Sequence, residues 1–272
     1  MTATLADLLT TIERLWPIAG AESWDASGLV TGDPGAPVRR VMFTVDAVAE
    51  TVDEAIAERA DLVIAHHPLL LRGVTSVAED RYKGSILARL IRAECALVTA
   101  HTNADVVADG TSAVLADRLG LIETTPIQPS VDPSLGLGRV GRLPEPTTVG
   151  RLARALADIL PATATGVRVA GGFDDVVETV ALCGGAGDSL LGHPAVRGAD
   201  AYITADLRHH PASEAREQAK LTGGPALLDV SHWASEWLWL DVAAAHLRAA
   251  HPELTVVVSE LRTDPWDFQI VQ

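Results

Sequence analysis

The stretch ADLVIAHHP (residues 60–68) decides the fold, because it reads as a short buried strand, Leu62–Ala65, that ends on His66-His67-Pro68. Working back from it, Val41–Val45 is a second short apolar run. Ala47–Ala60 between them has helical periodicity, with Val48, Val52, Ala55 and Ile56 on one face. The three segments make a right-handed β–α–β unit. Working forward, Ser85–Ala93 is an amphipathic helix with Ile86, Leu87, Leu90 and Ile91 facing inward. It leads to a strand over Ala96–Ala100, and a helix over Thr111–Leu119 closes this part of the chain.

The phrase then returns. ADAYITADLRHHP (199–211) repeats a strand that delivers His-His-Pro. ALVTAHTNAD (96–105) is matched by ALLDVSHWASE (226–236), each a strand followed by a histidine and, four residues on, a carboxylate. Two matches in the same order point to an internal duplication with a pseudo-two-fold axis. Residues 121–148 break the rhythm with Pro126, Pro129, Pro133, Pro144 and Pro146, a density that belongs to linkers and turns. The alternation resumes with a helix over Val149–Leu160 and strands at Val167–Ala170 and Thr179–Cys183. A helix from about Ser189, a strand Tyr202–Thr204 and a helix Ala212–Leu221 follow. The last elements are a strand Ala226–Val230, a long helix His232–Ala250 and a strand Thr255–Glu260. The expected fold is α/β, two similar lobes related by a pseudo-repeat: residues 1–125, a Pro/Gly-rich connector 126–148, and residues 149–272. The last helix and strand are expected to pack back on the first lobe.

Composition narrows the function classes. The chain has 272 residues, 48% of them hydrophobic, enough for packed cores and against disorder. Its formal net charge is −15 and no local basic patch is visible in the sequence, which argues against general nucleic-acid binding. No apolar run of about 18 residues suggests a membrane span, and the opening residues read as an amphipathic helix, not a signal peptide. Cys95 and Cys183 make no disulfide framework, so a reducing, cytoplasmic compartment is expected. Both are read as small buried hydrophobes.

Histidine carries the chemistry. His66-His67, His101, His209-His210 and His232 all stand at or just beyond the carboxyl end of a predicted strand, the edge where open α/β sheets place ligands. His232 and Glu236 are four apart at a helix start and so share a face. His101 and Asp105 repeat that spacing. Imidazole with carboxylate, and no thiolate motif, suits Zn, Fe, Mn, Ni or Co. The number of candidate ligands suffices for a pair of divalent ions, whereas the H-E-x-x-H of single-ion zincins is absent.

The segments WDASGLVTGD (24–33), AHHPLLLRG (65–73), AHTNADVVADG (100–110), CGGAGDSLL (183–191), YITADLRHHPA (202–212) and DVSHWASEW (229–237) resemble those of the Nif-three-like dinuclear metal-centre family. Members of that family are also labelled GTP cyclohydrolase I type 2 homologues. The resemblance runs from residue 24 to the C-terminal helix. It implies two α/β domains with a di-metal site in the cleft between them, assembled as a homohexamer. Carried over by motif, the metal ligands are His66, His67, Asp105, His232 and Glu236, with Glu236 as the bridging carboxylate. His101 is ranked as a proton-transfer group before a ligand, and His210 as a second catalytic candidate. Asp206 or His210 would orient a ligand histidine. Ala205 stands where the family has glycine. The chain resembles the short form, without an inserted domain.

CGGAGDSLL places glycines between a strand and a helix start, where backbone N–H groups can cradle phosphate, although tight turns need glycine in any case. The implied function is a metal-dependent hydrolase acting on a small molecule, GTP by the family label. The alternative is a non-enzymatic metal carrier or regulator acting through protein partners.

Overall fold

The computed structural model describes residues 2–271. In chain order its first elements are α1 (Leu5–Leu15), β1 (Gly28–Thr31), β2 (Arg40–Thr44), α2 (Ala49–Ala57), β3 (Leu62–Ala65), α3 (Tyr82–Arg92), β4 (Ala96–Thr99), α4 (Thr102–Asp105) and α5 (Thr111–Arg118). Then come β5 (Ile122–Thr125), β6 (Gln128–Pro129), β7 (Gly136–Leu137), β8 (Arg139–Thr148), α6 (Val149–Ile159), β9 (Arg168–Ala170) and β10 (Val176–Ala186). The chain ends with α7 (Pro194–Arg197), β11 (Ala201–Ala205), α8 (His209–Thr222), β12 (Ala226–Val230), α9 (His232–Ala250) and β13 (Thr255–Val258).

Contacts divide the chain into two compact units. The first takes the chain up to Ala104 together with Leu240–Thr263, and the second takes Asp105–Trp239 and the chain from Asp264 onward. The division falls after Ala104, not at the expected 125, because α5 packs on strands of the second unit. The C-terminal strand β13 belongs to the first unit, where it pairs in parallel with β2.

The first unit holds a five-stranded sheet of order β1-β4-β3-β2-β13. β13, β2, β3 and β4 run parallel, and β1 is antiparallel on β4. The parallel strands read as unbroken apolar runs because both faces are covered: β3 and β4 are buried at every residue. Helix α1 starts on a capping box, with Thr4 accepting from the Asp7 N–H and Asp7 accepting from the Thr4 N–H, and it buries Leu5, Leu8 and Ile12. Met42, Val63 and Leu97 pack with Val52, Ile86 and Leu90 of α2 and α3.

The second unit holds a six-stranded sheet of order β5-β8-β10-β11-β12-β9. β10, β11 and β12 are parallel, and β9 is antiparallel on β12. The two sheets thus share one plan. An antiparallel edge strand, β1 or β9, lies beside the third strand of a parallel trio, β2-β3-β4 or β10-β11-β12, and each trio runs in the order third, second, first, with β13 adding a fourth parallel strand to the first sheet. The pseudo-repeat read from the sequence is present in the topology.

Registering the repeat on these strands corrects one alignment. β3 ends at Ala65 opposite Thr99, and β11 ends at Ala205 opposite Val230. The residue one past the strand is therefore His66 in the first unit and Asp206 in the second. His209 and His210 come three and four residues later, in the first turn of α8, so they are not the counterparts of His66 and His67.

The expected connector is also corrected. Residues 126–148 include β6, β7 and the ten-residue β8, which lies between β5 and β10 in the second sheet. The ladder to β10 skips residues 143–146 between the pairs Thr179–Arg142 and Val177–Thr147. Pro144 and Pro146 fall in that bulge, where no ladder N–H is required of them. The helix expected from Ser189 is a 3-10 turn, Asp188–Leu190, followed by the short α7. Among the described residues, no helix is long and apolar enough to cross a membrane.

Candidate metal centre

In the first unit the carboxyl ends of β2, β3 and β4 deliver Asp46, His66-His67 and His101. The parallel register continues one step past the strands: the N–H of His66 donates to Thr44 O at 3.0 Å and that of His67 to Val45 O at 2.8 Å. This pins the backbone of both histidines. His66 is fully buried and His67 half-buried. Their ring centroids are 5.2 Å apart, and those of His66 and His67 lie 5.3 and 5.7 Å from that of His101. Each of the three rings offers a nitrogen within 4.8 Å of those offered by the other two. The structure therefore gathers His101 with the His-His pair.

Each ring is held at Nδ1 by an oxygen. His66 Nδ1 meets Ala100 O at 2.8 Å, His67 Nδ1 meets Asp46 Oδ1 at 2.7 Å and His101 Nδ1 meets Asp25 Oδ1 at 2.8 Å. An oxygen acceptor at Nδ1 selects the Nδ1–H tautomer and leaves the Nε2 lone pair as the ligating face. Burial pushes the Asp25 carboxyl up, but hydrogen bonds from Thr102 and His101 outweigh it and bring the group down to about 2. Trp24 of the same loop is exposed, with its ring edge-on to His101 at 5.9 Å.

The second unit presents a set of its own. His232 opens α9, and its Nε2 lies 3.1 Å from Oε1 of Glu236 one turn on. Its Nδ1 meets Asp206 Oδ2 at 2.8 Å, so the lock seen on His67 and His101 recurs. Asp206 supplies it from a left-handed backbone, φ +56°. Burial works against a charge on His232, but Glu236 and Asp206 outweigh it and hold the imidazolium pKa well above its usual value. Glu236 is buried.

Gly185 fits against this pair. It lies in β10 at φ +68°, and a Cβ there would stand 2.3 Å from Glu236 Oε1 and 3.2 Å from His232 Nε2. Asp105 approaches from α4, its Oδ1 accepting from the Thr111 hydroxyl at 2.5 Å. Thr111 in turn lies against Gly184. Cys183, the next residue back, senses both carboxylates: burial first, then the charges of Asp105 and Glu236, push its thiol up to about 12.

His210 is exposed in the first turn of α8, its ring 5.3 Å from that of His209, and it joins neither set. The group that orients His232 is Asp206. Of the two readings left open for the glycines of 183–191, phosphate cradle or tight packing, the geometry favours packing. Gly184 and Gly185 lie inside β10, and their N–H groups donate to Ser112 and Ser235. A Cβ on Gly187 would stand 2.4 Å from the hydroxyls of Tyr202 and Thr204. These glycines serve close packing.

The sequence reading missed Asp46 and gave Asp25 no role. Asp46 had one available signal: it follows β2 at the same edge from which His66 and His101 project. Asp25 lies 76 residues from His101 on a loop, and no spacing rule connects them.

The donor set fits a divalent transition metal. Imidazoles presented at Nε2, with the buried Glu236 and the half-buried Asp105, are ligands of the kind that bind zinc, iron, manganese, nickel or cobalt. The model for the Duf34/NIF3 (NGG1p interacting factor 3) family matches residues 3–265. The chain belongs to the DUF34/NIF3 family. A relative in this family from Streptomyces coelicolor, named GTP cyclohydrolase 1 type 2 homolog, is 49% identical over 98% of this chain and 94% of its own length. One from Mycobacterium tuberculosis with the same name is 33% identical over 98% of each. That alignment runs over 376 positions against 272 residues here, so the mycobacterial DUF34/NIF3 relative carries residues this chain lacks. A solved Bacillus cereus protein related to NIF3 shares the fold at TM-score 0.87 and 23% identity, covering 99% of this chain and 100% of that one. A Staphylococcus aureus structure matches at TM-score 0.87 and 26% identity, covering 99% and 100%.

Proposed function

We propose that this chain is a metal-dependent hydrolase of a nucleotide such as GTP, with His66, His67, Asp105, His232 and Glu236 as ligands of two divalent ions. One observation carries the reading. His66, His67 and His101 are each bound at Nδ1 by an oxygen, the form in which imidazole ligates a metal or accepts a proton at Nε2, and His232 makes the same Nδ1 contact, with a metal ion to take the place of the Nε2 proton that Glu236 holds. The name shared by its relatives, GTP cyclohydrolase 1 type 2 homolog, supplies the substrate class.

Bound divalent ions supply Lewis acidity and bring the pKa of water toward neutrality. Glu236, a helix-borne carboxylate with two oxygens to offer, would be the ligand shared by the ions. His101 takes the proton at Nε2. Asp25, ionised at neutral pH with a pKa of about 2, holds the ring and stabilises the imidazolium that forms. Zinc, iron, manganese, nickel and cobalt all suit the ligands, so supply decides the native ion. The chain assembles as a homohexamer, on the strength of the resemblance.

The test is metal content of the purified protein against Glu236→Ala, with GTP turnover on the same samples. About two ions per chain, lost in the variant together with turnover, is the expected result. No metal in either protein after reconstitution would overturn it.

A second reading rests on the family description, which names an NGG1p interacting factor. On that reading the chain is a metal-binding carrier or regulator acting through a protein partner. Two ions, freely exchanged, with no turnover of GTP or simple phosphoesters would decide for it.

A further inference from the structure

We infer that Asp46 and Asp25 are positioning residues that fix the tautomer and orientation of His67 and His101 before any metal arrives. The inference rests on the metal-binding part of the functional reading, and concerns this chain's own residues.

A neutral histidine that nothing constrains divides between two tautomers and rotates about two bonds, and only one tautomer leaves Nε2 free to ligate. An acceptor that carries no proton, placed at Nδ1, removes that freedom. Asp46 Oδ1 does this for His67 at 2.7 Å, and Asp25 Oδ1 for His101 at 2.8 Å.

A carboxylate positions a ring only if it is itself held, and both are. The second oxygen of Asp46 accepts from the Thr263 hydroxyl, in the segment that follows β13. The second oxygen of Asp25 accepts from the N–H and the hydroxyl of Thr102 and from the Ser27 hydroxyl, while Oδ1 also takes the Ala26 N–H. The loop that carries Asp25 is tied again where the Glu22 N–H donates to the Thr102 hydroxyl at 2.9 Å. Each aspartate thus ties its second oxygen to the surrounding frame and turns Oδ1 on a ring. Asp206 makes the same contact with His232 in the second unit. The two cases in the first unit differ in sequence origin, a strand end against a loop, and converge on one geometry. Packing alone gives no reason for that.

Outer carboxylates of this kind typically contribute 10- to 100-fold in metal affinity. The test uses the full-length chain and the Asp46→Asn and Asp25→Asn variants. An amide can donate to Nδ1 and so admit the other tautomer, while it keeps the volume of the carboxylate. Two readouts apply. Histidine ring 15N shifts on the metal-free protein report the tautomer. Zinc affinity by chelator competition reports the consequence. The expected result is a ring that changes tautomer only at the mutated partner and an unchanged fold by circular dichroism, with zinc affinity about 10- to 100-fold weaker in Asp46→Asn, whose partner His67 is a ligand, and little changed in Asp25→Asn, whose partner His101 is the proton acceptor. Unchanged tautomers, with affinity within about two-fold, would overturn the inference. If Asp46→Asn does not fold, Thr263→Val keeps the carboxylate but loosens it. A few-fold weaker affinity then supports the inference, and no change counts against it. Wild-type protein that shows the Nδ1–H tautomer yet takes up no zinc sinks the functional reading and not the positioning of the rings. Wild type that binds zinc while Asp46→Asn binds it equally does the reverse.

Discussion

Gly185 and Glu236 are in contact so close that no other residue fits at position 185: a Cβ built there stands 2.3 Å from Glu236 Oε1. The backbone at Gly185 is also left-handed, with φ +68°. Both conditions demand glycine, one by space and one by conformation. Gly185→Ala must therefore either push Glu236 away from His232 or distort β10. The left-handed backbone costs about 1–2 kcal/mol for a residue with a Cβ, and the overpacking about 1–3 kcal/mol. We expect a lower unfolding midpoint and a loss of metal content larger than the loss of stability explains. Denaturant melts with metal analysis on the same preparation check this. Full metal retention would show that β10 gives way and leaves Glu236 in place, or that Glu236 is not a ligand, and Glu236→Ala separates the two.

Arg139 holds the chain just beyond Asp105. It is buried, and its guanidinium donates to Gly136 O and Gly138 O at 2.7 Å and to Val107 O at 2.9 Å. The Gly136 N–H donates back to Val106 O at 2.8 Å. Residues 106–108, next to Asp105, are thus clamped to β7 and β8. Arg139→Met fills the same space but leaves these carbonyls unbonded, at about 1–3 kcal/mol for each buried group that finds no water. A fall in stability of about 2–4 kcal/mol by urea denaturation is expected. Arg139→Lys, with fewer donors and no fork, should recover part of it. A variant as stable as wild type would show that water reaches these carbonyls.

The same two regions show what the sequence does and does not disclose. The histidines at the ends of β3, β4 and β12 were legible because a parallel strand is a continuous apolar run, and the residue where it stops is conspicuous. His232 and Glu236 were legible because helical spacing puts i and i+4 together. β8 was not, since Pro144 and Pro146 read as breakers. Only the ladder shows that they fall in a bulge with no hydrogen bond to lose. The pairing of Asp25 with His101 was not legible either. A loop carboxylate reaches its histidine through the folded frame, and no periodicity records it. His210 misled because His-His-Pro recurs in sequence, whereas the strand register places Asp206 where His66 stands.

The two thiols separate burial from reactivity. Burial first, then Asp61, pushes Cys95 up to about 12, and Cys183 is pushed up to about 12 by burial and then by Asp105 and Glu236. The thiolate is the reactive form, so at pH 8 only about one thiol in ten thousand is ionised at such a pKa. Neither cysteine should be alkylated by iodoacetamide in the folded protein at that pH, and both should react in denaturant. Labelling of Cys183 in native protein at pH 8 would mean that its surroundings open.

Asp25 predicts how stability depends on acid. Its folded pKa of about 2 lies below the ordinary value of 3.8. A carboxyl depressed in the folded state contributes stability that is fully present above the unfolded pKa. That contribution is lost as pH falls through the folded one. The window is therefore from about 3.8 down to about 2, and within it the folded protein must take up a proton that the unfolded chain already holds. Asp25→Asn carries no such proton. Across the window the wild type should lose stability faster than the variant, and the two curves should approach one another at the acid end. Above about pH 5 the gap should be constant, with the wild type more stable, because the amide of the variant cannot accept from Thr102 and His101 with a full charge. Urea denaturation of both proteins from about pH 2 to about pH 7 measures it. Parallel curves throughout would mean that the carboxyl keeps an ordinary pKa, and that its bonds to Thr102 and His101 are loose in solution.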